Sequence, residues 1–191
     1  MGASILPVAL HNNKIYLLFG KEKDSDENKG WSDFGGGTEK GESFLSTAIR
    51  EGAEELTGFL GNPEEIEKLL KKCGTFNIDY KSDGHTTYRV HIFPFAYDAK
   101  LPIYFNNNAK FINSRLDEKL MINSRIFEKQ EIKWFCLNDL NKYKKEFRIF
   151  YQNIVDLILL NKKNINTFIR TSTSISVKKN NNNKTLKKKK Y

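Results

Sequence analysis

The chain opens on two apolar stretches, "ASILPVAL" (Ala3 to Leu10) and "KIYLLFGKEK" (Lys14 to Lys23), separated by the turn-forming "HNN". That spacing predicts a β-hairpin. A polar loop, "DSDENKG" (Asp24 to Gly30), leads into "WSDFGGG", which reads as a short strand running into a glycine turn. The period then changes. Phe44, Leu45, Ala48, Ile49, Ala53 and Leu56 recur at helical spacing and define one apolar face, so a helix is predicted from Ser43 to Leu56. Ser43 has the chemistry of an N-cap, and Gly58 suits a left-handed turn that closes the helix. A second helix is predicted in "NPEEIEKLLKKCG". Asn62 would cap it and Pro63 would take its first turn. Glu64 and Glu65 then lie near its positive end, Lys71 and Lys72 near its negative end.

Further along, "TFNIDYKSDGHTTYRVHIFPFAYD" (Thr75 to Asp98) alternates on either side of Asp83-Gly84, the pattern of a second hairpin. Pro102 to Phe127 fits either a helix or a decorated loop. "EIKWFCL" (Glu131 to Leu137) predicts a strand, and "EFRIFYQNIVDLILLNKK" (Glu146 to Lys163) an amphipathic helix that closes the domain. Strands, helix, strands and helix in this order predict an α+β fold on a mixed sheet, not regular βαβ winding.

At 191 residues, 39% of them hydrophobic, the chain can build one core without disulfides or metals as staples. Cys73 and Cys136 have no metal-site spacing and read as reduced core thiols. His11, His85 and His91 form no ligand motif. The opening "MGASILPVALHNN" has no basic leader before a long apolar stretch, and Leu6 misses the myristoylation pattern. The best apolar run, Ile154 to Leu160, contains an Asp and is too short to span a bilayer. An intracellular, soluble, cytoplasmic protein with no membrane partner is expected.

The formal net charge of +9 is unevenly spread. Residues Asn164 to Tyr191 hold eight of the 32 Lys and Arg and none of the 23 Asp and Glu, so the body is nearly neutral. This divides the chain into a domain over 1–163 and a Lys/Asn-rich tail over 164–191, expected to be largely disordered. Such a tail attracts polyanions, non-specific RNA contact included, or acts as a nuclear address. It equally follows from a compositional drift toward Lys, Asn, Ile, Phe and Tyr that runs through the whole sequence.

The candidate chemistry is concentrated in "WSDFGGGTEKGESFLSTAIREGAEELTGFLG" (Trp31 to Gly61). On a helix turning about 100° per residue, Glu51 and Glu55 lie about 40° apart and Glu54 about 60° to the other side of Glu51. Three carboxylates thus share one face, where they repel one another and sit badly with the helix dipole. Arg50 is expected to face away from Glu51 and Glu55. A hard divalent cation would relieve the repulsion, since Mg²⁺ and Mn²⁺ take carboxylate and phosphate oxygens. A solvated acidic surface is the plain alternative. Gly35, Gly36 and Gly37 precede the helix and let the chain approach another group closely, which points to a phosphate ligand. The stretch is not a Walker loop, because Gly41 is followed by Glu-Ser, and its "DFG" stands without any other kinase element.

The segment resembles the Nudix box, whose pattern is Gly, five residues, Glu, seven residues, Arg-Glu, an aliphatic residue, any residue, Glu-Glu, any residue, Gly, aliphatic. Gly36, Glu42, Arg50, Glu51, Glu54 and Glu55 all fall in that register. Trp31, five residues before the first box glycine, and "FEKQEIKWFCLNDL" (Phe127 to Leu140) are also similar to the family, and the resemblance covers Ala3 to about Leu160. Three positions depart from it. Phe34 stands where proline is usual, Gly52 where an aliphatic residue is usual, and "EELTGF" has one extra residue before its closing glycine. A mid-helix glycine costs about 1 kcal/mol relative to alanine. The composition and the "DFGGG" variant also resemble Nudix proteins of large DNA viruses.

The resemblance implies a mixed β-sheet sandwiched between helices and a metal-dependent hydrolase that cleaves a pyrophosphate bond in a nucleoside-diphosphate-linked substrate. It implies Mg²⁺ or Mn²⁺ held by Glu51, Glu54 and Glu55, with Glu51 and Glu55 the principal pair and Glu54 the candidate general base. Gly36, Glu42, Arg50 and Gly58 would order the motif, and Glu128 or Glu131 would supply a further ligand or base. The substrate stays open between free nucleotides, the mRNA cap, as in a decapping enzyme, and diphosphoinositol polyphosphates. Phe34, Tyr80, Tyr88 and Phe95 suit stacking on a base, though core packing is their commoner role. The rival reading is a catalytically inactive module of this fold that binds RNA or nucleotides through its basic tail.

Overall fold

A computed structural model of the chain describes residues 1–23, 28–82, 86–124 and 126–172. Strands β1 (Gly2–His11) and β2 (Lys14–Glu22) form the first hairpin, with His11 opposite Lys14. Asn12 and Asn13 both take positive φ in the turn, a conformation asparagine tolerates better than most residues. The backbone next passes through β3 (Trp31–Ser32) and β4 (Phe34–Gly37) to α1 (Phe44–Glu55) and α2 (Pro63–Cys73). A second hairpin, β5 (Phe76–Ser82) and β6 (Thr86–Pro94), follows, then α3 (Lys100–Asn113) and α4 (Glu118–Ser124). The turn expected at Asp83-Gly84, with His85, lies outside the described residues, but Ser82 pairs with Thr86 across it. The ambiguous stretch from Pro102 to Phe127 is largely helical. Strand β7 (Lys129–Cys136), a 3₁₀ segment (Leu140–Glu146) and α5 (Ile149–Leu160) come next.

β1 is the middle of the sheet, and its residues from Gly2 to Ala9 are all buried. It pairs in parallel with β6 and antiparallel with β2, which makes the sheet mixed as expected. The sheet then divides. β2 leaves β1 after the hairpin and pairs along its length with β7, while β4 pairs with the first half of β1 and β3 with the end of β2. The segment Trp31 to Gly37 is therefore a wedge between two diverging strands. Residues of α1, α2 and α3 pack on one face with Ile5, Leu18, Phe34 and Phe93. α5 packs on the other with Leu17, Phe19, Phe135 and Val90.

Four expectations change. Gly35 to Gly37 are not a turn: they form β4, in register with Gly2 to Ser4. At Gly35 and Gly36 the glycine character comes from proximity, because a Cβ on Gly35 would lie 2.3 Å from the Ser4 Cβ and one on Gly36 2.6 Å from the Glu51 Cδ, whereas a Cβ on Gly37 would meet nothing. The expected tail does not begin at Asn164. A final helix, α6, occupies 162–172, and its Ile165 and Ile169 are fully buried in the α5-side core. Arg170 fastens it to the first hairpin through Asn13, donating to the side-chain oxygen at 2.7 Å and the carbonyl at 2.9 Å. The remaining tail, 173–191, lies outside the described residues. Third, Cys73 and Cys136 are free but only half-buried. Last, Phe34 is wholly buried and so not available to stack on a base, while Tyr88 is half-buried and donates its hydroxyl to Asp33. Among the described residues no helix is long and apolar enough to cross a membrane.

Candidate active site

Ser43 caps α1 by accepting from the Ser46 amide at 3.1 Å, and Ser46 returns the contact to the Ser43 amide. Ala48, Ile49, Ala53 and Leu56 seat the helix on the sheet. The seat is close because of Gly52, where a Cβ would lie 2.3 Å from Ile5 Cδ1. The departure from an aliphatic residue is thus a site where β1 and α1 nearly touch. After Glu55 the chain unwinds through Thr57 and Gly58, both with positive φ, and the Gly58 amide reaches the Ala53 carbonyl. Gly58 closes the helix in the left-handed region. Thr57, the extra residue, accepts from the Phe127 amide at 3.0 Å and so ties the helix end to the segment before β7.

Contrary to the helical-wheel expectation, Arg50 turns back over its own helix and gathers the outer carboxylates. It binds Glu42 through Nε at 2.8 Å and through a second nitrogen at 3.1 Å. It also donates to Glu51 Oε1 at 2.8 Å and to the Gly37 carbonyl at 3.1 Å, and it approaches Glu54 at 3.6 Å. Glu42 accepts in addition from the Glu39 amide and the Thr47 hydroxyl. These hydrogen bonds, those from Arg50 first, hold its carboxyl down to about 2. Gly36 makes room for Glu51, whose Cδ would lie 2.6 Å from a Cβ there.

Glu55 points the other way. Its side chain is 9% exposed, against 16% for Glu51 and 34% for Glu54, so the three form a series from interior to rim. The Gly35 amide donates to Glu55 Oε2 at 2.9 Å and the Lys129 ammonium to Oε1 at 3.0 Å. Burial pushes the Glu55 carboxyl up to about 8 against the pull of Lys129.

Behind Glu55 is a polar layer in the wedge between β1 and β2. The Lys129 ammonium, fully buried, also contacts Glu22 and donates to Ser32 Oγ at 3.0 Å. Burial lowers the Lys129 pKa, but the charges of Glu55 and Glu22 reverse this and leave it raised. Arg148 reaches Glu22 from the α5 side at 2.9 Å. Asp33, in the same layer, accepts from Ser4 and Tyr88, and burial nonetheless raises it to about 6. None of this was visible as a motif, because Glu22, Asp33, Glu55, Lys129 and Arg148 are far apart in sequence.

Glu128 is half-buried beside Lys129, just ahead of β7. Glu131 lies on β7 opposite Lys21, beyond a bulge that sets Lys129 opposite Glu22. It lines a cavity of about 720 Å³ with Lys21, Lys23 and Lys110. Among the described residues no three His, Cys, Asp or Glu side chains converge as a metal cage, so neither glutamate completes one with the box carboxylates. The box brings Glu42, Glu51 and Glu54 together around Arg50 and sends Glu55 inward.

A family model described as NUDIX domain matches residues 2–157. No curated protein matches. Among solved structures, a C. elegans Ap4A hydrolase binary complex aligns over 92% of this chain and 96% of its own, at 16% identity and TM-score 0.46. A bifunctional NMN adenylyltransferase/ADP ribose pyrophosphatase from Francisella tularensis, complexed with AMP and a Mn ion, aligns over 83% and 41%, at 17% identity and TM-score 0.49. The NUDIX domain of Shewanella oneidensis NrtR, complexed with ADP ribose, aligns over 81% and 82%, at 12% identity and TM-score 0.41. The family match spans most of the chain, takes in the whole box and ends inside α5: the chain belongs to the NUDIX domain family.

Proposed function

We propose that this protein is a pyrophosphohydrolase that cleaves a phosphoanhydride bond in a nucleoside-diphosphate-linked substrate and requires Mg²⁺ or Mn²⁺. One observation carries the reading: a single guanidinium, Arg50, holds Glu42, Glu51 and the Gly37 carbonyl and approaches Glu54, so the box folds into one charge-assisted unit. Its donors are all oxygen, which fits a hard divalent ion. Glu51, Glu54 and Glu55, which do not converge as a cage by themselves, would hold that ion together with phosphate oxygens of the substrate, the outer pair, Glu51 and Glu54, being better presented than Glu55. When bound, the ion polarises phosphoryl oxygens and lowers the pKa of water. The protein's own residues do the rest. Arg50 fixes the orientation of Glu51, Glu42 fixes Arg50, and Gly36 keeps the backbone of β4 clear of the Glu51 carboxylate. Glu54, at the rim, is the candidate general base.

Free nucleotides suit the nearly neutral body. Capped RNA is the second reading, favoured by one feature: Lys14, Lys162, Lys163 and Arg170 line a cavity of about 360 Å³ beside α6. A panel of nucleoside triphosphates, Ap4A, ADP-ribose, capped RNA, sugar nucleotides and diphosphoinositol phosphates, each with Mg²⁺ and with Mn²⁺, separates them. We expect metal-dependent turnover of a nucleotide, and a loss of about a hundredfold or more in Glu51→Gln with the fold intact. No turnover on any member, with metal bound, would turn the reading toward an inactive binding module.

A further inference from the structure

The turn end of the first hairpin, remote from the box, carries a chemistry of its own. The cavity of about 360 Å³ there is lined by Lys14 on β2 and by Lys162, Lys163 and Arg170 on α6, with Ile15 and Leu137 as its apolar wall. Ile165 and Ile169 turn into the core, which leaves Lys162, Asn166 and Arg170, spaced by four, as one stripe of α6 facing the cavity. Arg170 donates to Asn166 Oδ1 at 2.8 Å as well as to Asn13, and these neutral oxygens order the guanidinium without cancelling its charge. No Asp or Glu is among the described residues that line the cavity, and Asp139, near Lys14, is paired with Lys142 at 2.7 Å.

Aromatic rings stand beside these cations. His11, opposite Lys14 in the hairpin register, stacks on Tyr97 with ring centroids 4.1 Å apart and planes at 13°. Tyr97 also meets Tyr16 at 5.1 Å and Trp134 at 5.4 Å. All four rings are only half-buried, and Tyr16 and Tyr97 belong to neither core.

We propose that this end of the sheet is a binding site for single-stranded nucleic acid, with the cations holding phosphates and the rings stacking on bases. Such a chain is bound by positive charge along its backbone and by aromatic faces that accept any base. Position separates the site from the box. Gly2 pairs with Gly37 at the box end of β1, and His11 lies at the strand's other end, about 30 Å away. A single nucleotide cannot touch both places, whereas a chain of several can. Beyond Ser172 the sequence adds seven Lys and no Asp or Glu, so the positive charge continues from α6 along the chain. A role in catalysis rests on the capped-RNA reading above; binding does not.

The test is fluorescence anisotropy of labelled, uncapped oligouridylate and oligothymidylate with the full chain, without metal and across a salt series, with thermal melts to verify folding. Both oligonucleotides should bind, since neither the cations nor the rings read the sugar. Lys162→Gln combined with Lys163→Gln should weaken binding about tenfold and make the log–log salt dependence shallower by about 1.4, the share of two phosphates. Tyr97→Ala should weaken binding about tenfold at unchanged salt slope. Unchanged affinity in the lysine variant would assign binding to the residues after Ser172 and overturn the proposal, as would absence of binding in the unaltered protein. Unchanged affinity in folded Tyr97→Ala overturns it too, and if that variant does not fold, His11→Leu decides in the same way. The lysine variant should hydrolyse free nucleotides at the unaltered rate and show a higher KM, at constant kcat, for capped RNA. Binding that follows the variants without any turnover of capped RNA removes that substrate reading and supports the site.

Discussion

Replacing Gly52 by alanine pits two opposing effects against each other at the point where the box helix rests on the sheet. Helix propensity favours alanine by about 1 kcal/mol. The structure opposes it, because the new methyl would lie 2.3 Å from Ile5 Cδ1 and 2.5 Å from Ile5 Cγ1, well inside ordinary carbon contact. Ile5 is fully buried on the central strand and has little room to yield. Overpacking of this kind costs roughly 1–3 kcal/mol. The net expectation is a destabilisation of about 1 kcal/mol, or about 2–4 °C in Tm for a chain of this size. Urea unfolding should show a lower midpoint at unchanged slope. The pair can be tested for coupling. Ile5→Ala alone should cost about 2–5 kcal/mol, but in that background Gly52→Ala should stabilise by about 1 kcal/mol, since the overlap is gone and the propensity gain remains. Because Glu51 and Glu55 ride on the same helix, Gly52→Ala should also reduce turnover in the otherwise native protein. If Gly52→Ala stabilises the native background, the glycine is only a weak spot in a helix and the close-approach argument is wrong.

Arg50→Lys keeps the charge but cannot bind Glu42 through two nitrogens and reach Glu51 and the Gly37 carbonyl together; turnover should fall by about tenfold or more with little change in Tm, read by steady-state kinetics beside a thermal melt. His91 is buried, both its ring nitrogens lack a partner, and burial, with Arg89 nearby, lowers its pKa to about 4. The folded state then binds fewer protons than the unfolded state between the ordinary value of 6.5 and 4, so stability present above that window is lost as pH falls through it. His91→Leu should remove about 2–3 kcal/mol of that acid sensitivity relative to the unaltered protein, measured by urea unfolding across the window. Truncation at Lys163 removes Ile165 and Ile169, each worth roughly 1.5–3 kcal/mol of burial, and should destabilise the domain, whereas truncation after Ser172 should leave its melt unchanged. Only the second cut tests whether the basic segment serves RNA.

What the sequence disclosed was local. α1 and α2 were legible because their caps, periodicity and closing glycines lie within one or two turns of each other, and Ser43 and Asn62 do cap them. Tertiary demands were not legible. Gly35 and Gly36 looked like turn residues, yet they are glycine because Ser4 and Glu51 crowd an extended strand. The start of the tail is not legible for a different reason. Its polar composition outweighed the spacing of Ile165, Phe168 and Ile169, which is a helical face one turn deep and packs on the core.

The three glutamates themselves show how far a local argument reaches. Their mutual repulsion calls for positive charge, and in the folded chain two cations already answer it: Arg50 at the rim and Lys129 in the interior. Repulsion alone therefore no longer demands a metal. What still favours one is asymmetry. The inner carboxylate is held by an amide and an ammonium in a buried layer, while Glu54 at the rim exposes a third of its side chain. A fold needing charge balance alone gains nothing from presenting that carboxylate outward beside Glu51 at the open edge of β4. A fold that must hold an ion between itself and a polyphosphate does.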